Sequence, residues 1–548
     1  MFIRIISSTF LALFDFYGAN QLRRIAIFHY HLLPGGVTSV IILSVQAVLK
    51  YLPDIEKIIL VSGKEENAME VRNKIVAGFD NLDKEKVEVR IVPQIGYANH
   101  GERVNEERTV KIEKILMQEF GGYLWWVHNY HIGKNPFLTQ ALLNIAVKNP
   151  SQKIIFHIHD FPECSRYENL QFLKEHTVPP IYLNTGNIRY VVINTRDYAL
   201  LVASGLSAER VFLLHNPVDP FKVDLSRKPY IREKLQRVFS SDSASFYPDK
   251  PFVLYPVRAI RRKNILESGL ISSLLEEPVN LVVTLPGVSE QEKEYSALVK
   301  TCYNEGLITG LFNIGNKLDA ESLTLTDIIA SSDVVISSSI QEGFGYLFIN
   351  APGWGLPLFA RYLDILDGIR DFFSDLSCYF YREILIPLTE NEKGKLLKRY
   401  RERIRYLSEL ISGDSLNRLT EEIEALLSSK VIDFSYLDAE YQYFILKTIN
   451  KDSSFCKEIK LLNNETIDQF RSLLYAEQPP AEEKIIDAFG MARFARSAEE
   501  VFNSLERESE RCHEEEISHH LAEDQSDPVQ EYLMDRFARR EYLRLLYE

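Results

Sequence analysis

Ser337–Arg361 reads SSSIQEGFGYLFINAPGWGLPLFAR, and the rest of the chain is organised around it. Just before it, Asp333-Val334-Val335-Ile336 is a short apolar, β-branched run suited to a buried parallel strand. Gly343 and Gly345 then bracket an aromatic, and an apolar helical register follows through Leu347, Ala351 and Trp354. A strand that breaks at glycines and opens a helix leaves unpaired backbone N–H groups converging on one spot. That spot suits an anion or a ring of hydroxyls, with Glu342 at its mouth. A βα turn with glycines for packing alone would give the same local pattern.

These residues resemble the signature of the retaining, GT-B-fold glycosyltransferases of family 4. Ser339, Glu342, Gly343, Phe344, Gly345, Gly355 and Pro357 match a Ser before Glu-Gly-Phe-Gly, a helix, and a Gly-x-Pro strand start. The resemblance implies a fold of two Rossmann-like domains facing across a cleft. It runs over roughly residues 24–390 and leaves a helical C-terminal extension outside it.

At 548 residues the chain is too long for one ordinary domain. Apolar residues at 46% and aromatics at 11% supply packed cores. A net charge of -14 argues against nucleic acid as a partner, since phosphate backbones need a basic surface. Cys164, Cys302, Cys378, Cys456 and Cys512 are scattered and form no CxxC. They suggest neither a disulfide framework nor a zinc site, and they fit a cytoplasmic location. Phe10–Phe14 and the Ile-rich run before it are too short to span a bilayer and are interrupted by Asp15. Residues 1–22 therefore read as an N-terminal extension, and no later run reaches transmembrane length.

The first domain is expected over residues 23–240. Arg24–Phe28 is a strand, and His29–Gly36 a polar turn before a helical stretch at Val37–Tyr51. Strand–Gly-Gly–helix is how a Rossmann-like domain begins, with its ligand at the carboxyl end of the strand. Strands are then expected at Ile58–Val61, Val87–Val92, Leu124–His128, Ile154–His159, Tyr190–Ile193 and Val211–Leu214. His215–Asp219 resembles the segment that closes the first domain in family 4. Lys222–Lys250 reads as the linker, with Ser240–Ser245 as its loose spot.

A second βα series, residues 250–392, is expected through Phe252–Val257, Val279–Leu285, Leu311–Ile314, Val334–Ser337, Leu356–Ala360 and Tyr379–Ile386. Residues 393–548 read as a helical region. In GT-B proteins a helix after the second domain usually crosses back to the first. Lys395–Leu410 carries its basic residues on an amphipathic period, read as a solvated face over a peripheral membrane patch. Asp433–Leu437 is a candidate cap. The last fifty residues are acidic and broken at Asp524–Pro528, and this region could mediate homo-oligomers.

Transfer of a sugar from a nucleotide diphosphate must stabilise charge growing on the leaving phosphates. Arg258-Ala259-Ile260-Arg261-Arg262-Lys263 follows the first strand of the second domain, at its ligand-binding end. The resemblance assigns Arg258 and Lys263 to the pyrophosphate, with Arg261 and Arg262 next; a surface basic cluster is the plain alternative. It implies catalysis by Arg258, Lys263, Glu342 and His159 without a metal or other cofactor. Gly35, Gly36, Asn316, Gly343, Phe344, Gly345, Tyr346 and Asn350 would bind the donor, such as UDP-glucose or GDP-mannose. His128, His131, Glu163 and Arg166 are candidates for contacts to a hydroxyl acceptor, a small polar sugar or sugar acid over a glycan or lipid. Where the family carries a second Glu for the ribose, this chain has Asn350, which keeps donor and acceptor capacity but loses the charge-assisted bond.

The histidines come in close pairs, His29/His31, His128/His131 and His157/His159. Residues i and i+2 of a strand share a face, so pairs at strand ends could chelate a metal. No carboxylate or thiol completes a set at ligand spacing. No Ser-His-Asp or Cys-His set is visible, which agrees with a retaining transfer that needs no protein nucleophile. A sugar-nucleotide epimerase or phosphorylase on the same scaffold, or a non-catalytic binding protein, are the alternative readings.

Overall fold

The structure is a computed structural model and describes residues 22–81, 83–239, 246–318, 323–509 and 527–544. The N-terminal extension therefore lies outside the described residues except for Leu22, which is buried in the first core. Ser240–Ser245 and most of the Asp524–Pro528 break also lie outside them. The chain divides into two compact units. One holds the described residues up to Asp219 with those of Ile486–Phe537, and the other holds the described residues of Pro220–Ile485 with those from Ala538 onward.

The first unit is built on a seven-stranded, wholly parallel sheet of order β3-β2-β1-β4-β5-β6-β7. Its strands are β1 (Arg24–His29), β2 (Lys57–Ser62), β3 (Val87–Ile91), β4 (Leu124–His128), β5 (Ile154–Ile158), β6 (Ile188–Val192) and β7 (Val211–Leu213). β1, β4, β5 and β6 are buried almost throughout, which is why they read as continuous apolar runs rather than alternating ones. The order reverses between β1 and β4, so the crevice at their carboxyl ends is the expected ligand site of a doubly wound sheet. Helix α1 (Gly36–Tyr51) starts directly from the turn after β1.

The second unit carries a six-stranded parallel sheet of order β10-β9-β8-β11-β12-β13. It comprises β8 (Phe252–Arg258), β9 (Asn280–Leu285), β10 (Gly310–Phe312), β11 (Val334–Ser337), β12 (Leu358–Arg361) and β13 (Cys378–Tyr381). Helix α2 (Ile265–Ser273) follows β8 and helix α3 (Tyr346–Gly353) follows β11. Two doubly wound parallel sheets in one chain, with a helical C-terminal extension, are the GT-B class expected from the sequence.

The single strand expected at Tyr379–Ile386 is two. β13 ends at Tyr381, and β14 (Leu385–Pro387) pairs antiparallel with β15 (Val431–Asp433) in a separate ribbon. Arg361 causes the break. Its guanidinium is 1% exposed and binds Glu267 of α2 at 3.0 and 2.6 Å, and Asp433 at 2.9 and 2.8 Å. It also donates to the Arg382 carbonyl at 2.7 Å, while Asp433 accepts the Ile384 amide at 3.1 Å. These bonds turn residues 382–384 out of the sheet. Burial lifts the Glu267 carboxyl, and Arg361 opposes it.

The helix after the second sheet does not cross back. Glu390–Leu407 buries Leu396, Tyr400, Ile404 and Leu407 within the second unit and packs on Gly413–Ser428. Its basic face is solvated and paired, with Arg399 to Asp438 at 2.6 Å and Arg401 to Glu424 at 2.7 Å. The return to the first unit comes later. Helix α4 (Met491–Ser509) lays Phe494, Ala495, Ala498, Val501, Phe502 and Leu505 into the core shared with α1. Arg189 of β6 anchors it, with Nε 2.8 Å from the Ser504 hydroxyl and Nη2 2.7 Å from its carbonyl. Helix α5 (Pro528–Phe537) also joins this unit, where Asp527 accepts the Ile181 amide at 2.6 Å.

Candidate functional site

In the second unit, β8 ends at Arg258 and runs into a single tight turn at Arg261–Lys263. The Tyr255 hydroxyl donates to the Lys263 carbonyl at 2.8 Å, and Ser338 Oγ to that of Asn264 at 2.8 Å. Ile340 N donates to the Arg262 carbonyl at 2.9 Å, so the loops after β8 and β11 are laced together. Lys263 pairs with Glu342 across that junction, and Arg262 lies 3.9 Å from the same carboxylate. Burial alone would raise the Glu342 carboxyl; the Lys263 and Arg262 cations override it and hold it below the ordinary range.

Gly345 sits at φ +82, and a Cβ there would lie 2.5 Å from the Phe348 ring, so glycine is required both for the turn and for the approach. α3 then starts from Gly345 with no side-chain cap, and the Phe348 amide donates to the Gly345 carbonyl at 2.9 Å. Phe344 and Tyr346 pack edge to face at 5.2 Å beside it. Asn350 lies on α3, half-buried, and its carboxamide makes no hydrogen bond among the described residues.

The four basic residues of the loop separate in role. Arg261 donates to the Leu437 carbonyl at 2.6 Å and to Asn264 at 3.1 Å, binding the loop to the rest of its unit. Arg258 is 41% exposed and pairs with Glu292 at 3.5 Å, while Lys263 pairs with Glu342. Asn316 falls in the short helix Gly315–Leu318, and its side chain lies outside those described.

In the first unit, the carboxyl ends of β1, β4 and β5 bring together His29, His128, His157 and His159, all buried. His128 Nδ1 lies 2.9 Å from His159 Nε2, and the His157 and His159 rings stack at 4.3 Å. Asn129 fixes this corner, receiving the His159 amide at 2.8 Å and donating its own to the His157 carbonyl at 2.9 Å. Burial and the neighbouring imidazoles hold His128 and His157 well below the usual histidine range; burial takes His29 to about 3 and His159 to about 4. They are neutral at physiological pH. The ligand atoms of His128, His157 and His159 lie within 4.8 Å of one another, so these three could hold a metal ion.

His131, from the same stretch as His128, turns away and packs edge-on to Phe161 and Tyr182 at 5.8 and 5.4 Å. Glu163 is 0% exposed; its carboxylate receives the Tyr182 hydroxyl at 3.2 Å and Gln530 of α5 at 3.2 Å. The structure thus buries Glu163 beneath a C-terminal helix instead of presenting it to an acceptor. Arg166 stays partly open and pairs with Asp160 at 3.1 Å. Gly35 and Gly36 are exposed at the start of α1, and a Cβ on Gly36 would meet nothing within 4 Å.

Sequence reasoning missed Tyr97 and Lys134, which join Arg166 at this end of the sheet. Lys134 stands in the loop after β4, directly before the Asn135 cap and Pro136 of a helix. A lysine at that junction, ahead of Asn-Pro, is the signal that would have found it.

No helix among the described residues is long and apolar enough to cross a membrane. No family model matches the chain. It is 31% identical over 462 residues to the mannosylglucosyl-3-phosphoglycerate synthase of Petrotoga mobilis, covering 82% of this chain and 85% of that one. Among solved structures it is similar to Anabaena Alr3699/HepE in complex with UDP and glucose, at 13% identity, with 88% of this chain and 99% of that one covered and a TM-score of 0.47. It is also similar to the catalytic domain of starch synthase IV from Arabidopsis thaliana bound to ADP and acarbose, at 13% identity, with 88% and 99% covered and a TM-score of 0.44.

Proposed function

The chain belongs to the glycosyltransferase family of the Petrotoga mobilis mannosylglucosyl-3-phosphoglycerate synthase, and we propose that it moves a hexose from a nucleotide-diphosphate sugar to a hydroxyl of a phosphorylated sugar acid. The acceptor class follows the relative's product and falls within the small polar sugar or sugar acid favoured from sequence. The observation that carries the reading is the Lys263–Glu342 pair set beside the Gly343–Gly345 turn.

In this reading the loops after β8 and β11 form the donor site. Lys263 and Arg258 meet the charge that grows on the leaving pyrophosphate, and the positive end of the α3 dipole adds to it. Asn350 faces the ribose in place of the second Glu of family 4. His159, neutral and buried, donates or accepts a hydrogen bond at the sugar without carrying charge. Attack on the face that the nucleotide leaves, with a donor phosphate oxygen taking the acceptor proton, retains the anomeric configuration and needs no protein nucleophile. Preorganised cations supply the charge stabilisation without a required metal.

The test is incubation of the full chain with GDP-mannose or UDP-glucose and glucosyl-3-phosphoglycerate. Release of nucleoside diphosphate with an α-linked product by NMR is expected. An inverted product would remove the family 4 assignment, and no release with any donor would favour a binding protein.

A further inference from the structure

Three loops meet at the carboxyl ends of β3, β4 and β5. Ala98 N donates to the Lys134 carbonyl at 2.8 Å, and Asn135 donates to the Gly96 carbonyl at 2.6 Å, which holds Tyr97 against Lys134. The Lys134 ammonium lies 5.5 Å from the centre of the Tyr97 ring. The Tyr97 hydroxyl lies 3.1 Å from His31 Nε2, and the Tyr97 side of the cluster is open, at 48% exposure. The loop that carries Lys134 closes on the helix opened by Arg166, where a Cβ on Gly133 would lie 2.1 Å from the Asn169 carbonyl, and the Arg166 charge acts on both Lys134 and Tyr97. The Arg166 side chain is 25% exposed and pairs with Asp160, the residue after His159.

Lys134 makes no ion pair among the described residues, although it is partly buried beside a second cation. Burial and Arg166 hold its ammonium below the usual lysine range, with Glu168 opposing them from the exposed side of the Arg166 helix. Two cations brought together on neighbouring βα loops, with the Tyr97 ring beside the Lys134 ammonium, repel each other unless an anion lies between. Arginine offers a fork that matches carboxylate or phosphate oxygens, and lysine offers a point charge.

We infer that Lys134 and Arg166, with the Tyr97 hydroxyl, form the cradle for the anionic group, phosphate or carboxylate, of the acceptor. This rests on the proposed function for the identity of the acceptor. Arg166 of the cradle pairs with Asp160, which directly follows His159, so an acceptor hydroxyl near that imidazole leaves the charged end of the molecule to the cradle. The site selects acceptors by charge, and neutral sugars of the same size lack its main contact.

The experiment is calorimetric titration of 3-phosphoglycerate into the full chain, with glycerol 3-phosphate and glycerate as the phosphate-only and carboxylate-only arms. Wild type binds 3-phosphoglycerate, and the tighter of the two arms names the group held. Lys134→Ala and Arg166→Ala each weaken binding by roughly ten- to a hundredfold, and Tyr97→Phe by about threefold. Lys134→Arg recovers most of the loss, and melting temperature with nucleotide binding shows that each variant is folded. In the transfer assay the same variants raise the acceptor KM with little change in kcat. Unchanged anion binding in folded variants, or no anion binding by wild type, overturns the cradle even if transfer occurs. Binding lost in the variants while no nucleotide sugar is ever turned over keeps the cradle and overturns the proposed function.

Discussion

Lys263 and Glu342 form an ion pair that closes the loop after β8 onto the loop after β11, 79 residues away in sequence. The pair makes one side chain serve two ends. It neutralises a half-buried carboxylate, and it fixes an ammonium at the mouth of the Gly343–Gly345 turn. Lys263→Ala should lower turnover by roughly a hundredfold, as for loss of one preorganised contact to developing charge. It should also cost ~1–3 kcal/mol of stability, since Glu342 is left half-buried without its main partner. Adding Glu342→Gln should recover the stability and not the turnover, read by thermal melts beside steady-state kinetics.

Arg258 separates the two effects. Its pair with Glu292 is 41% exposed on the arginine side, and pairs of that kind contribute ~0–1 kcal/mol. Arg258→Ala should therefore melt within a degree or two of wild type while losing roughly a hundredfold in kcat. A folded Arg258→Ala with normal rates would move the pyrophosphate off this arginine.

The histidine cluster gives a prediction about metals. His128, His157 and His159 have their ligand atoms within 4.8 Å and are held neutral, the state in which imidazole ligates. The proposed chemistry leaves charge stabilisation to Lys263 and Arg258. Dialysis against a chelator should leave turnover within about twofold of untreated protein, a difference of ~0.4 kcal/mol. Loss of activity restored by a divalent ion would reassign the three histidines as ligands.

Much of the fold could be read from its runs of β-branched residues, because a strand buried on both faces needs no partner to declare itself. The glycine turn after β11 was equally legible, since positive φ selects the residue locally. The return of α4 was not. Phe494, Ala498, Val501 and Leu505 announce an amphipathic helix, but nothing local says that their stripe belongs beside Ile41 and Val45 of α1. Arg361 is the sharper case. At the end of a strand it looks like an edge charge, and only the tertiary fold brings it Glu267 from 94 residues before and Asp433 from 72 after. Glu163 looked accessible for the same reason, because the helix that covers it lies 367 residues further on.

That cover has a pH signature. Burial pushes the Glu163 carboxyl up to about 7, so the folded state holds a proton that the unfolded chain releases near the ordinary glutamate value of 4.5. The folded state binds more protons, and stability from this group falls as pH rises towards 7 and beyond. The buried histidines act with the opposite sign: their folded values lie below 6.5, so their contribution falls as pH drops below that value. Wild-type melting temperature should peak between these limbs. Glu163→Gln should flatten only the alkaline limb, adding ~1–3 kcal/mol at pH 8 and little at pH 5. Equal shifts at both pH values would mean that Glu163 stays ionised under α5.

Asn350 is where the chain departs from the family 4 pattern, and its half-buried carboxamide has no hydrogen bond within its own unit. A side chain so placed on α3 is available to a ligand's hydroxyls. If those are the ribose hydroxyls of the donor, Asn350→Glu should leave kcat alone and tighten donor binding. A charge-assisted bond contributes ~1.5–3 kcal/mol against ~0.5–1.5 for a neutral one. Asn350→Ala should raise the donor KM by about tenfold with kcat nearly unchanged, because the contact is felt equally in ground and transition states. The two substitutions must move KM in opposite directions. Should both leave donor kinetics untouched, the ribose lies elsewhere, and the donor roles of Gly343, Phe344 and Tyr346 fall with it.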